Sequence, residues 1–138
     1  MRRLIRISVL TLAMVLLGAF TSQAQKPDWG AVADTETVEV LTEDEDGSLR
    51  VTTVWLLVLD GEGYVRTGGT SWGENVVRSE KLTLRIDENE YPLSVEFEED
   101  EDLRARIEQG FRDKYGWSDG LIGWIRGNHP LHMRLVSQ

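Results

Sequence analysis

Between positions 37 and 97 apolar side chains return at every second residue in one segment after another, and beyond residue 102 the spacing changes to four. A repeat of two marks a pleated strand with one buried face, whereas a repeat near 3.6 marks a helix, so the chain has to build a sheet first and add a helix late. Val38 and Val40 share one side of residues 37–42, and Leu82, Leu84 and Ile86 alternate with Lys81, Thr83 and Arg85. Tyr91, Leu93, Val95 and Phe97 line one face of the next segment, opposite Ser94 and Glu96. Leu131, Met133 and Leu135 do the same in a last strand whose other face shows His132 and Arg134. Residues 51–59 differ, because Val54, Trp55, Leu56, Leu57, Val58 and Leu59 are apolar on both faces. That pattern predicts a central strand with core on one side and another layer or subunit on the other.

Turn chemistry separates these segments. The run Glu43, Asp44, Glu45, Asp46, Gly47 suits a tight hairpin, as do Asp60, Gly61, Glu62, Gly63 and the later Asp87, Glu88, Asn89, Glu90. Residues 37–67 therefore read as a three-stranded meander. Leu103, Ile107, Phe111 and Tyr115 line one face of a helix, with Glu101, Arg104, Glu108 and Arg112 on its exposed side. Acids at 98–102 complement its positive N-terminal pole, Arg112 and Lys114 complement the other, and Gly116 stands where a left-handed stop is wanted. Residues 28–33 form a short lead-in whose Trp29 packs on the body, and 117–127 form a Gly-punctuated linker carrying Trp117 and Trp124. The expected fold is mainly β: about six antiparallel strands in a small barrel or strongly bent sheet, with one helix in the C-terminal half plugging an end.

Composition narrows the setting. Without Cys there are no disulfides, thiol chemistry or Cys-based zinc sites, so stability has to come from the core. Arg2, Arg3 and Arg6 precede an apolar run from Ile7 to Phe20, followed by Ser22, Gln23 and Ala24, which is the layout of a cleavable export signal with processing after Ala24. The run is shorter than the roughly 18 residues that span a bilayer. Residues 1–24 are thus read as signal peptide and 25–138 as one domain in the periplasm or outside the cell, with no membrane attachment after cleavage. Removal of three arginines and no acid moves the net charge from −9 to −12. A surface in which acids outnumber basic residues 24 to 15 disfavours nucleic acid as a partner.

Several candidate chemistries fail on their own geometry. Thr42, Asp44, Asp46 and Gly47 imitate a calcium loop, but Thr stands at the first position and Thr53 at the closing carboxylate position, so a solvated turn is favoured. His129 and His132 flank Pro130, and on a strand a three-residue separation points two rings to opposite faces, so no metal site is expected. The acids at 98–102 read as a helix cap. Ser71 lacks the His and Asp pattern of a hydrolase triad, and no catalytic residue is assigned. The run Arg66, Thr67, Gly68, Gly69, Thr70, Ser71, Trp72 is different in kind: Arg and freed backbone N–H groups suit a phosphate, and an indole suits a planar ring. The same composition would also serve a plain strand connection with Trp72 folded back as core.

The order of features from Val54 to Trp72, namely an apolar strand with Trp, an Asp-Gly turn, Tyr64-Val65-Arg66-Thr67, a Gly-rich loop and Trp, resembles small split-barrel proteins related to the pyridoxamine-phosphate oxidases and deazaflavin-dependent reductases. The helix ending Lys114-Tyr115-Gly116 before a final strand is similar to the uncharacterised single-domain branch of that group. The resemblance implies a split β-barrel, commonly a homodimer, that binds FMN or a deazaflavin and passes hydride to a small molecule. It also implies that Arg66 and Thr67 end the cofactor-binding strand and that Trp72 is the aromatic after the loop. This chain departs from the group by carrying Gly68-Gly69 and Gly73-Glu74 where relatives often place basic residues. Each charged hydrogen bond so lost weakens a phosphate site by about 1.5–3 kcal/mol. Two functions follow: an exported domain that binds a small planar or phosphorylated ligand, with flavin- or deazaflavin-dependent oxidoreductase activity, or a non-enzymatic binding or interaction module that has lost the cofactor.

Overall fold

A computed structural model describes residues 25–116, 118 and 130–138. Among these, seven strands and two helices follow one another as β1 (Thr37–Glu43), β2 (Leu49–Trp55), β3 (Leu57–Leu59), β4 (Glu62–Thr67), α1 (Ser71–Ser79), β5 (Lys81–Ile86), β6 (Asn89–Phe97), α2 (Glu101–Tyr115) and β7 (Leu131–Ser137). All strands join one antiparallel sheet in the order β2-β1-β5-β6-β7-β4-β3. The strands at its two ends, β2 and β3, are joined by Leu56 alone. Seven strands laid flat would put those ends about 29 Å apart at the usual ladder spacing. One residue spans about 3.6 Å at most. The sheet therefore has to curl until its edges meet. They meet as a seam, where β2 runs close to β4 without a ladder between them.

This closure corrects two expectations. Residues 51–59 are not a central strand but two strands at opposite ends of the sheet, and residues 37–67 form two hairpins, β1–β2 and β3–β4, rather than a meander. Two-sided burial was the correct part of the reading. Val54, Leu56 and Val58 belong to the barrel interior, whereas Trp55, Leu57 and Leu59 pack with α2 on the outside. The second layer is a helix, which supplies the apolar outer contact that suggested centrality.

The interior is filled from every side by Val38, Val40, Val65, Leu84, Leu93, Met133 and Leu135. Trp29 closes over Gly63, where a Cβ would collide with the indole ring. The expected turn at 44–47 forms with Gly47 at φ +84°, and Asp44 there accepts from Arg50 and Asn75 at 2.7–3.0 Å. α2 has its expected boundaries, with Asp100 accepting from Leu103 N at 2.8 Å and Gly116 at φ +62°. Its position is a correction: Ile107 and Phe111 pack on Leu57 and Tyr64 of the outer face, so it does not plug the barrel. That place belongs to α1, whose first residues fall in the expected Gly-rich loop and whose Trp72 and Val76 enter the interior. Trp117, Trp124, His129 and residues 1–24, expected to be an export signal, lie outside the described residues. No helix among the described residues is long and apolar enough to cross a membrane.

Candidate functional site

A pocket of about 430 Å³ opens at the seam. One side comes from β4 and the turn after it: Arg66, Thr67, Gly68, Gly69 and Thr70, with Trp72 from the first turn of α1. The other comes from the closing edge: Thr37 of β1 and Thr53, Val54 and Trp55 of β2. Six of the seven residues singled out in the sequence thus meet around one cavity, and Ser71 stands exposed outside its lining. The four residues from β1 and β2 carried no local signal. Only closure of the sheet brings them to the loop.

The turn is set by its own hydroxyls. Thr67 Oγ1 and Thr70 Oγ1 are 2.6 Å apart, Thr70 N donates to the Gly68 carbonyl at 2.9 Å, and Thr70 caps α1 by accepting from Gly73 N at 3.2 Å. Gly73 is required by this packing, because a Cβ there would lie 2.6 Å from Thr67 Cγ2. Trp72 is 4% exposed and is chiefly a core residue that shows an edge to the pocket.

The opposite wall is braced by aromatic stacking. Trp55 lies on Tyr115 with centroids 4.2 Å apart and planes 4° apart, Tyr115 continues to Phe111 at 5.9 Å, and the Arg66 guanidinium sits 3.9 Å over the Phe111 ring. Tyr115 Oη is 2.6 Å from the Leu56 carbonyl and 2.7 Å from that of Glu36, and it accepts from Leu56 N at 3.1 Å. Burial pushes its pKa up to about 12. Lys114 Nζ donates to the carbonyls of Ala33, Thr35 and Leu56, and burial lowers its pKa against the opposing charges of Asp34 and Glu36. The Lys-Tyr-Gly end of α2 is therefore a clasp on the one-residue junction of the barrel.

Arg66 is committed elsewhere than to the loop. Its side chain is 3% exposed and donates to Glu108 Oε2 at 2.5 Å. Glu108 Oε1 is 2.7 Å from His132 Nε2, and Arg104 Nε donates to His132 Nδ1 at 3.4 Å. A carboxylate can only accept, so Nε2 is the ring nitrogen that donates to Glu108. Burial pushes the Glu108 carboxyl up, but the hydrogen bond from His132 and the charge and hydrogen bond of Arg66 outweigh it and bring the pKa down to about 2. A second cavity of about 240 Å³ is lined by Glu108, His132, Arg104 and Pro130 among others. His132, read from the sequence as displayed on the far face of its strand, is buried there beneath α2.

A model of the family described as "Uncharacterized protein conserved in bacteria (DUF2255)" matches residues 28–128. The chain belongs to DUF2255. No curated protein matches this DUF2255 sequence. Solved structures resemble its fold: HutZ, the heme storage protein of Vibrio cholerae, is 12% identical over 82% of this chain and 89% of its own, with a TM-score of 0.64. A putative pyridoxamine 5′-phosphate oxidase from Listeria innocua is 14% identical over 79% and 89%, with a TM-score of 0.58. An F420-H2-dependent reductase, FDR-A, is 13% identical over 73% and 94%, also with a TM-score of 0.58. The DUF2255 chain thus has the split-barrel, FMN-binding-like fold that its sequence resembles.

Proposed function

We propose that this DUF2255 protein is an exported split-barrel domain that binds a small planar ligand in the seam pocket. The observation that carries this reading is the pocket itself: a cavity at the split of the barrel, walled by Trp55, touched by an edge of Trp72 and lined by Thr37, Thr53, Thr67 and Thr70. Aromatic walls suit a flat ring, and hydroxyls can meet either donors or acceptors on its rim. The similar structures favour a ring of the flavin or deazaflavin class. If such a ring binds, it supplies the hydride chemistry, and the protein supplies position.

The residues present fit the ring better than a phosphate tail. Arg66 is the lone cation among the described residues of the lining, and Glu108 already pairs with it. Among the described residues the lining also contains no Asp, Glu, His, Lys, Cys or Tyr to move a proton. That composition favours the second reading, a non-enzymatic binding module, over an oxidoreductase that takes a phosphorylated cofactor such as FMN. Titration with lumiflavin, riboflavin, FMN and a deazaflavin, followed by Trp fluorescence and ligand absorption, tests the proposal. Quenching that disappears in Trp55→Ala supports it, and no response at millimolar concentration with all four overturns it.

A homodimer belongs to the same proposal. Leu49 and Val51, on the free edge strand β2, are 66% and 44% exposed, an arrangement that association would cover. Light scattering of the mature protein reads its oligomeric state.

A further inference from the structure

The sheet has two end strands, and only one of them is long. β3 spans three residues and is backed by α2, whereas β2 spans seven and no described strand pairs with its far edge. Two hydrogen bonds at opposite ends of the β1–β2 hairpin fix which backbone groups that edge presents. Leu56 N donates to the Glu36 carbonyl at 3.3 Å, Asp44 N donates to the Ser48 carbonyl at 2.9 Å, and both pairs continue the register of the ladder. Bonded and non-bonded pairs alternate along an antiparallel ladder. Val38 with Val54, Val40 with Thr52 and Thr42 with Arg50 are therefore the bonded pairs, and Leu49, Val51 and Thr53 turn their N–H and C=O groups away from β1. The side chains of the same three residues are exposed.

The usual guards of a sheet edge, which are charge, Pro and bulges, are missing from this one. Arg50 is drawn back onto Asp44, and the pairing with β1 runs without interruption from Trp55 to Leu49. The outward rows of the neighbouring strands are charged, with Glu39 and Glu43 on β1 and Lys81 and Arg85 on β5. A chain of net charge −9 repels its own copy, so two copies meet best along a strip without charge. Leu49, Val51 and Thr53 form such a strip, and it is self-complementary. With a two-fold axis at Val51, Val51 faces Val51 and Leu49 faces Thr53, each pair exchanging both backbone hydrogen bonds. This register engages all three residues and leaves Trp55 to its stack on Tyr115.

We infer that β2 pairs antiparallel with β2 of a second copy about an axis at Val51, which joins the two barrels edge to edge and sets Leu49 of the partner subunit beside Thr53 in the wall of the seam pocket. The inference rests on the homodimer reading and supplies its contact.

The chain has no Cys, so introduced thiols report the contact cleanly. Bonded antiparallel partners have Cα atoms about 5.5 Å apart, within disulfide range. Under mild oxidation Val51→Cys should run as a covalent dimer, and Leu49→Cys mixed with Thr53→Cys should cross-link where neither does alone. Val77→Cys, exposed on α1, measures random collision. Cross-linking at 51 no stronger than at 77 overturns the inference. A second arm uses sedimentation. Val51→Pro removes an N–H that the ladder with β1 does not use, so it should fold and sediment as a monomer, whereas Val51→Thr keeps the N–H and should stay dimeric. A dimer that survives Val51→Pro means that faces, not edges, make the contact, and overturns the inference. A dimeric wild type that fails at 51 overturns the inference and leaves the homodimer reading standing, whereas a wild type that is monomeric at millimolar concentration removes both. If Val51→Pro does not fold, the thiol arm decides alone.

Discussion

Glu108 illustrates how one carboxylate can dominate the acid response of a small domain. Its folded pKa of about 2 lies below the ordinary 4.5, so the unfolded chain takes up a proton more readily. The stabilisation is therefore full well above pH 4.5 and drains away as pH falls toward 2, an effect of about 3 kcal/mol. Denaturant melts from pH 7 to 2 should show this loss in wild type and a flatter limb in Glu108→Gln. Two tryptophans should divide just as clearly. Trp72 is buried in the barrel interior, so Trp72→Ala should cost about 3–5 kcal/mol. Trp55 is only partly buried and leans on Tyr115, so Trp55→Ala should cost less, with the stack contributing about 0.5–1.5 kcal/mol, while it removes ring binding. Equal destabilisation by the two would contradict the geometry.

At the level of elements, α1 depends on Thr70, which caps the helix and also meets Thr67 across the turn. Thr70→Ala should cost about 1–2 kcal/mol in denaturant melts and Thr70→Ser should recover most of it. This helix is also where sequence reasoning stopped short. Gly68, Gly69 and Gly73 hid a nine-residue helix whose signals were present: Thr70 as cap, Glu74 in the first turn and Trp72 and Val76 four residues apart. β5, β6, β7 and α2 were legible because each is long enough to show its own period. The split of residues 51–59 was not, since β2 and β3 share one apolar run and only long-range pairing tells them apart. The same limit governed the site. Its loop half was visible as composition, whereas Thr37, Thr53, Val54 and Trp55 join it only through closure, and nothing local announces that Glu108 will reach Arg66 from 42 residues away.

For the molecule as a whole, strand order makes the C-terminus decisive. β2, β1, β5 and β6 are paired with one another, and β3 is paired with β4, but β7 alone joins the two groups by lying between β6 and β4. A chain ending at residue 130 should lack a cooperative melt and show unfolded-like near-ultraviolet circular dichroism. Addition of a peptide spanning 131–138 should restore part of the signal. A polypeptide that emerges from a ribosome one residue at a time therefore holds every other strand before it can complete its sheet. The seven-residue β7 acts as a keystone, and until it is in place no ladder ties the two groups of strands together.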